Sequence, residues 1–144
     1  MTTAINSHGT LLRLGDGATP TEAFTTIAQV LDISLPAPTT QFEETTNHSS
    51  AGYVERMASI VDSGEVSFDV NWIPTDSTHD PATGLWADMV AKTLRHFSVT
   101  LTEGSSMTFS AYVASVAPSA PVVGPYTASV TLQITGAVTL TEAV

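Results

Sequence analysis

Residues 62–74 read DSGEVSFDVNWIP. Val66, Phe68, Val70 and Trp72 fall on one side of an extended chain, and Glu65, Ser67, Asp69 and Asn71 on the other. That period-two alternation specifies a strand with one packed face and one wet face. Ser63-Gly64 supplies a turn before it, and Pro74, which has no N–H to give a ladder, closes it. Immediately upstream, residues 36–52 form a polar stretch too long for an ordinary hairpin connection in a compact domain. A firm strand fed by an oversized polar arm is the feature the rest of the chain must accommodate.

Upstream, Thr10 to Leu14 makes a short strand, followed by a Gly15-Asp16-Gly17 turn. Phe24 to Leu35 reads as one longer strand, with Ile27, Leu31, Ile33 and Leu35 sharing a parity that Phe24 and Val30 break. A bulge, or burial on both faces, accounts for the break. Pro36 and Pro38 stop that strand. The following TTQFEETTNHSS (39–50) is either an extended hairpin arm or a segment that a partner orders. Its return leg, 51–61, carries Tyr53, Val54, Met57 and Ile60 at roughly helical spacing and reads as irregular.

Downstream, Asp80-Pro81 has the form of an N-cap with proline in the first helical position. Leu85, Trp86, Met89, Val90 and Leu94 recur at steps of three and four, which specifies an amphipathic helix over about 81–95. Lys92, Arg95 and His96 fall near its C-terminal end, where the helix dipole favours cations. Three more strands follow, over 97–102, 107–116 and 126–135, with a rigid proline-bearing link at 117–125. The fold class is mostly β: a β-sandwich or partly open barrel of six to seven strands, one packed α-helix and a long loop at 36–62. A single domain is expected over residues 1–144, which is long enough to bury a real core.

Composition narrows function by exclusion. Thr and Ser are abundant, and 14 Asp and Glu face only 4 Lys and Arg, for a net charge of −10. A surface this acidic repels phosphate and anionic membrane, so neither nucleic-acid gripping nor membrane attachment is expected. The opening MTTAINSHG has no basic region followed by an apolar run, and no apolar stretch approaches spanning length. A soluble chain made in a cytoplasm is expected. There is no cysteine, hence no disulfide and no thiolate metal site.

No catalytic, metal or cofactor residue emerges. His8, His48, His79 and His96 form no metal-ligand spacing, so solvated or capping roles fit them better. Glu43 and Glu44 are adjacent in an extended segment and point to opposite sides, so they do not share one acid/base site. Ser105 and Ser106 lack the glycine framing of a nucleophile elbow. Trp72 and Trp86 are the residue type that stacks on sugars, but both fall on apolar faces and read as core. From the residues alone, a monomeric β-sandwich binding module for carbohydrate or a protein partner stays open beside an assembly subunit.

The order of segments resembles a known family. The strand through Ile27-Ala28-Gln29-Val30 and Ile33-Ser34-Leu35-Pro36 looks like the one that opens the core of tail tube proteins from long-tailed phages. The stretch with Glu44-Thr45-Thr46-Asn47, Gly52-Tyr53 and Asp62-Ser63-Gly64-Glu65-Val66 is similar to that family's stacking loop and following inner strand. The helix and closing strands keep the same order, and the resemblance extends to gene transfer agents and contractile tubes.

The resemblance implies no enzyme and no cofactor, but a hexameric ring that stacks into a virion tail tube, assembled in the cytoplasm of a bacterial host. Its partners would be copies of itself and other tail proteins at the tube ends, with DNA passing through without specific binding. The ring-stacking residues would be Gln41, Phe42, Glu43, Glu44, Thr45, Thr46, Asn47, His48 and Tyr53. The lumen would be lined by Glu65, Ser67, Asp69 and Asn71, with Thr127, Ser129, Thr131 and Gln133 of the last strand. If six copies each lent four strands, about 24 strands at roughly 4.8 Å would enclose about 37 Å across the backbone. Lining side chains would take up roughly 10 Å of that, still clearing a duplex about 20 Å wide.

Overall fold

The computed structural model describes residues 3–15 and 22–143. In chain order the elements are β1 (Leu11–Gly15), β2 (Phe24–Thr26), β3 (Val30–Ser34), β4 (Thr39–Glu44), β5 (Arg56–Asp62), β6 (Glu65–Asn71), α1 (Leu85–Ala91), β7 (Arg95–Thr100), β8 (Ser106–Ser119) and β9 (Thr127–Thr141). Seven strands make one antiparallel sheet in the order β2-β1-β7-β8-β9-β6-β3, and β4 with β5 makes a separate hairpin. The mostly β class, the multi-stranded antiparallel sheet and the one helix agree with the sequence. Asp16 and Gly17 of the expected turn lie outside the described residues.

The sheet curls on itself because its two outermost strands are consecutive in sequence. Only Ile27, Ala28 and Gln29 separate β2 from β3, and they cross from one edge to the other. The Ile27 N–H donates to the Leu12 carbonyl at 2.9 Å, and the Gln29 carbonyl accepts from the Asn71 N–H at 3.0 Å. So the single strand expected over 24–35 is two strands, broken where Gln29 adopts a left-handed conformation (φ 56). The register slips again between Val30 and Ile33. Those two breaks reset the parity, which leaves Ile27 buried but Leu31 and Leu35 exposed.

The apolar sides of the strands meet inside. Leu12, Val66, Phe97, Val99, Ala111 and Leu132 are completely buried. Phe97 stacks on Phe109 with ring centroids 5.9 Å apart. Truncating Phe97 to alanine opens a cavity that this curled sheet cannot collapse, so a loss of about 3–5 kcal/mol is expected, read as a lower denaturant midpoint with unchanged slope.

The helix is shorter than its periodicity suggested. Asp80 does cap, but its Oδ1 accepts from the N–H groups of Ala82, Thr83 and Gly84, closing a turn that precedes the helix. The helix proper starts at Leu85 and stops at Lys92, which takes the left-handed C-cap conformation (φ 56). Arg95 and His96 therefore belong to β7, not to the helix end, and Val90 and Leu94 of the expected apolar stripe are exposed. The residue buried in their place is Asp88, whose Oδ1 takes a 2.8 Å ion pair from Arg95. The same guanidinium donates from Nε and Nη2 to the Gly15 carbonyl. Burial raises the Asp88 pKa, more than the Arg95 charge lowers it. Trp72, packed on the core's margin, lies against the half-buried Trp86 with ring centroids 6.4 Å apart.

Candidate functional site

Two surfaces are left over once the core is closed: the outer face of the sheet's longest strands, and the hairpin that stands apart from it.

The outer face follows from register. β6 pairs with β9 residue for residue, Glu65 opposite Gln133, Ser67 opposite Thr131, Asp69 opposite Ser129 and Asn71 opposite Thr127. Directly paired residues of an antiparallel ladder share a face. All eight expected lining residues therefore stand together, and each is at least partly exposed. Between them, Val66, Phe68, Val70, Ala128, Val130 and Leu132 point inward and are buried. The ladder is internally bonded: the Ser129 hydroxyl donates to Asp69 Oδ1 at 2.8 Å, and Gln133 Nε2 donates to the Gly64 carbonyl at 3.2 Å. Charge on this ladder comes only from Glu65 and Asp69, because residues 104–141 contain no Asp, Glu, Lys or Arg.

Among the described residues, this face is flanked on both sides by strand that has no outer partner. β3 bonds only to β6. β8 has β7 beside it from Ser106 to Ala111, but from Tyr112 to Ser119 it pairs with β9 alone.

The hairpin holds the other expected set. Gln41, Phe42, Glu43 and Glu44 lie in β4, Thr45, Thr46, Asn47, His48 and Tyr53 in the turn beyond it, and every one is exposed. The return leg is not irregular; from Arg56 it is strand β5, with Glu44 opposite Arg56 and Phe42 opposite Ala58. The apolar spacing that mimicked a helix arises because the register slips between Thr40 and Phe42, so β5 carries an extra residue. Tyr53, at 80% exposed, and Ile60, at 73%, show how bare the arm is. A two-stranded ribbon with no covered face is barely stable alone. Its root, though, is fixed: Ser63 Oγ donates to the Gly136 carbonyl at 2.5 Å, and the Gly64 carbonyl accepts from the Ile134 N–H at 3.2 Å. Gly64 has φ +78, and a Cβ there would crowd the Ala37 carbonyl, so the root requires glycine.

One polar cluster escaped the sequence reading. Thr78 and the buried His79 clamp the crossover that closes the sheet. Thr78 Oγ1 accepts from the Ala28 N–H at 3.2 Å, and His79 Nε2 donates to the Ala28 carbonyl at 3.0 Å. His79 Nδ1 is then the acceptor for the Ile73 N–H at 3.1 Å, which assigns the tautomer. Asp76 Oδ1 in turn takes the Thr78 hydroxyl at 2.6 Å and the Thr78 N–H at 2.9 Å, and these bonds hold its carboxyl below the usual carboxylate range. The signal was legible: an Asp two residues before a Thr is an Asx-turn pattern.

A depressed carboxylate stabilises the fold above the unfolded Asp range, and that contribution fades as pH falls through it. The melting temperature should therefore drop on acidification more steeply for the natural chain than for Asp76→Asn. Parallel curves would contradict the clamp.

Among the described residues no group of His, Cys, Asp and Glu is placed to hold a metal, and no helix is long and apolar enough to cross a membrane. What the geometry provides is an uncharged-to-acidic polar face, unpaired strand beside it and an exposed hairpin arm that carries both apolar and acidic side chains.

The family described as lambda phage tail tube protein matches residues 14–141, so the chain belongs to that family: a structural component of phage or phage-like tails, not an enzyme. Solved structures agree in fold. The tail of an empty gene transfer agent particle, refined with C6 symmetry, superposes with a TM-score of 0.76 at 17% identity, covering 96% of this chain and 100% of that one. The virion of the native gene transfer agent particle gives 0.74 at 16% identity, with 96% and 100% covered. The sheath/tube terminator of an extracellular contractile injection system gives 0.73 at 13%, with 99% of each chain covered. No curated protein matches in sequence.

Proposed function

We propose that six copies of this chain close into a ring, that rings stack through the β4–β5 arm into a tube, and that the ladder of β6 and β9 lines the bore through which DNA leaves the capsid. The observation that carries this reading is the coincidence of a polar, cation-free ladder with unpaired strand on either side of it. A sheet with two open edges joins head to tail, and a head-to-tail contact that closes makes a ring. The strands between the open edges are β3, β6, β9 and the outer half of β8. Four from each of six copies give the roughly 24-stranded bore whose width clears a duplex. The sixfold symmetry of the gene transfer agent tail supports the copy number.

The wall suits transit. Glu65 and Asp69 repel phosphate, and Ser67, Thr131, Ser129 and Gln133 offer no cation to hold it. DNA slides without specific binding. The arm, bare on both faces, packs its side chains against the neighbouring ring. Other tail proteins cap the tube ends, and assembly takes place in the bacterial host cytoplasm. Negative-stain microscopy of concentrated protein tests this: rings or hollow filaments are expected, and featureless monomers at every concentration would favour a solitary binding module instead.

A further inference from the structure

Stacking requires a surface on the next ring to receive the arm, and the sheet register locates one. The arm leaves the sheet where β3 ends and β6 begins, at the Ser34–Glu65 end of the ladder. At the other end, Asn71 pairs with Thr127 and the Trp72 N–H donates to the Tyr126 carbonyl at 2.8 Å. Just beyond lies the β8–β9 connection, SAPVVGPY over 119–126. Arm and connection therefore occupy opposite ends of the same strands.

The connection is apolar and bare. Val122 is 104% exposed and Val123 89%, adjacent residues at the tip with nothing over them. Contiguous exposed apolar surface marks a contact site. Charge selects the occupant. The arm carries Glu43, Glu44, Glu55 and Asp62 against Arg56 alone, within a chain of net charge −10. It needs an acceptor free of carboxylates, and residues 104–141 contain none. Pro118, Pro121 and Pro125 bracket the tip; they remove ladder donors and fix the backbone beforehand. The tip thus receives side chains, not a strand, and loses little freedom in doing so.

We infer that the arm of one copy seats its apolar side chains, Phe42, Tyr53 and Val54 among them, on the Val122-Val123 tip of a copy in the adjoining ring. This rests on the stacked-tube reading and adds the acceptor to it. Because the two patches sit at opposite ends, the contact repeats without closing, which makes a filament and sets its polarity.

The chain has no cysteine, so a disulfide placed between the patches can be read without background. Tyr53→Cys combined with Val122→Cys, oxidised after assembly, is expected to give a non-reducing ladder that runs well past the ring's copy number. Either substitution alone is expected to give dimers at most. A ladder that stops at the ring's copy number would place the contact within one ring and overturn the inference, as would no cross-linking in intact tubes. The pair Val122→Asp and Val123→Asp, at positions that touch nothing, is expected to leave a folded subunit that forms rings but not tubes. Normal tubes from that pair would also overturn it while leaving the tube reading intact. Failure of the unaltered chain to form either rings or tubes would instead remove the reading beneath it.

Discussion

Excision of residues 43–49 is expected to leave a folded subunit that forms no tubes. The removed residues are all exposed and lie outside the core. The arm's anchorage is through Ser63 and Gly64 at the root, which the excision leaves alone. The core should therefore keep its cooperative unfolding transition. Assembly should fail outright, because in the proposed tube this segment carries the turn that presents Phe42 and Tyr53 to the adjoining ring. Sedimentation at increasing concentration distinguishes the outcomes, with long polymers from the natural chain and only single rings or monomers from the shortened one. Tubes of ordinary length after excision would refute the arm's role.

The second large effect is expected at the face proposed to line the bore. Glu65→Lys together with Asp69→Lys reverses the only charges on the β6–β9 ladder. Both side chains reach solvent, and the one internal bond lost is that from the Ser129 hydroxyl to Asp69, so tubes should still form. DNA moving past would then meet two cations from every copy. Phosphate contacts of this kind dominate affinity and weaken steeply with salt, so ejection should slow on the order of tenfold at low salt and recover as salt rises. Ejection at the natural rate in low salt would mean that this face lies elsewhere than the bore.

Much of this was legible in the sequence because period-two alternation survives wherever a strand is covered on one face only. The 65–71 run and its partner at 127–133 are the plainest cases, and their register assembled every residue assigned to the polar ladder. Legibility failed where tertiary contacts override local pattern. The crossover at Ala28–Gln29 breaks the 24–35 strand: Ala28 is held by Thr78 and His79, about fifty positions away, and the next residue, Gln29, is left-handed. The helix ends early because Arg95 is drawn into β7 and pairs with the buried Asp88. The arm's return strand was masked by a bulge that turned alternation into something like a helical step. The uncharged tip at Val122-Val123 was visible as composition, but its position opposite the arm needed the register of β8 on β9.

In the proposed tube, copies of this chain complete one another's sheet edges. Amide hydrogen exchange on monomer and assembled tube measures this directly. On assembly, strong new protection is expected in Val30–Ser34 and in the outer half of β8 from Tyr112 onward, with the Leu132 and Val66 region slow in both states. Unchanged, rapid exchange of those two edge segments in assembled tubes would contradict the claim.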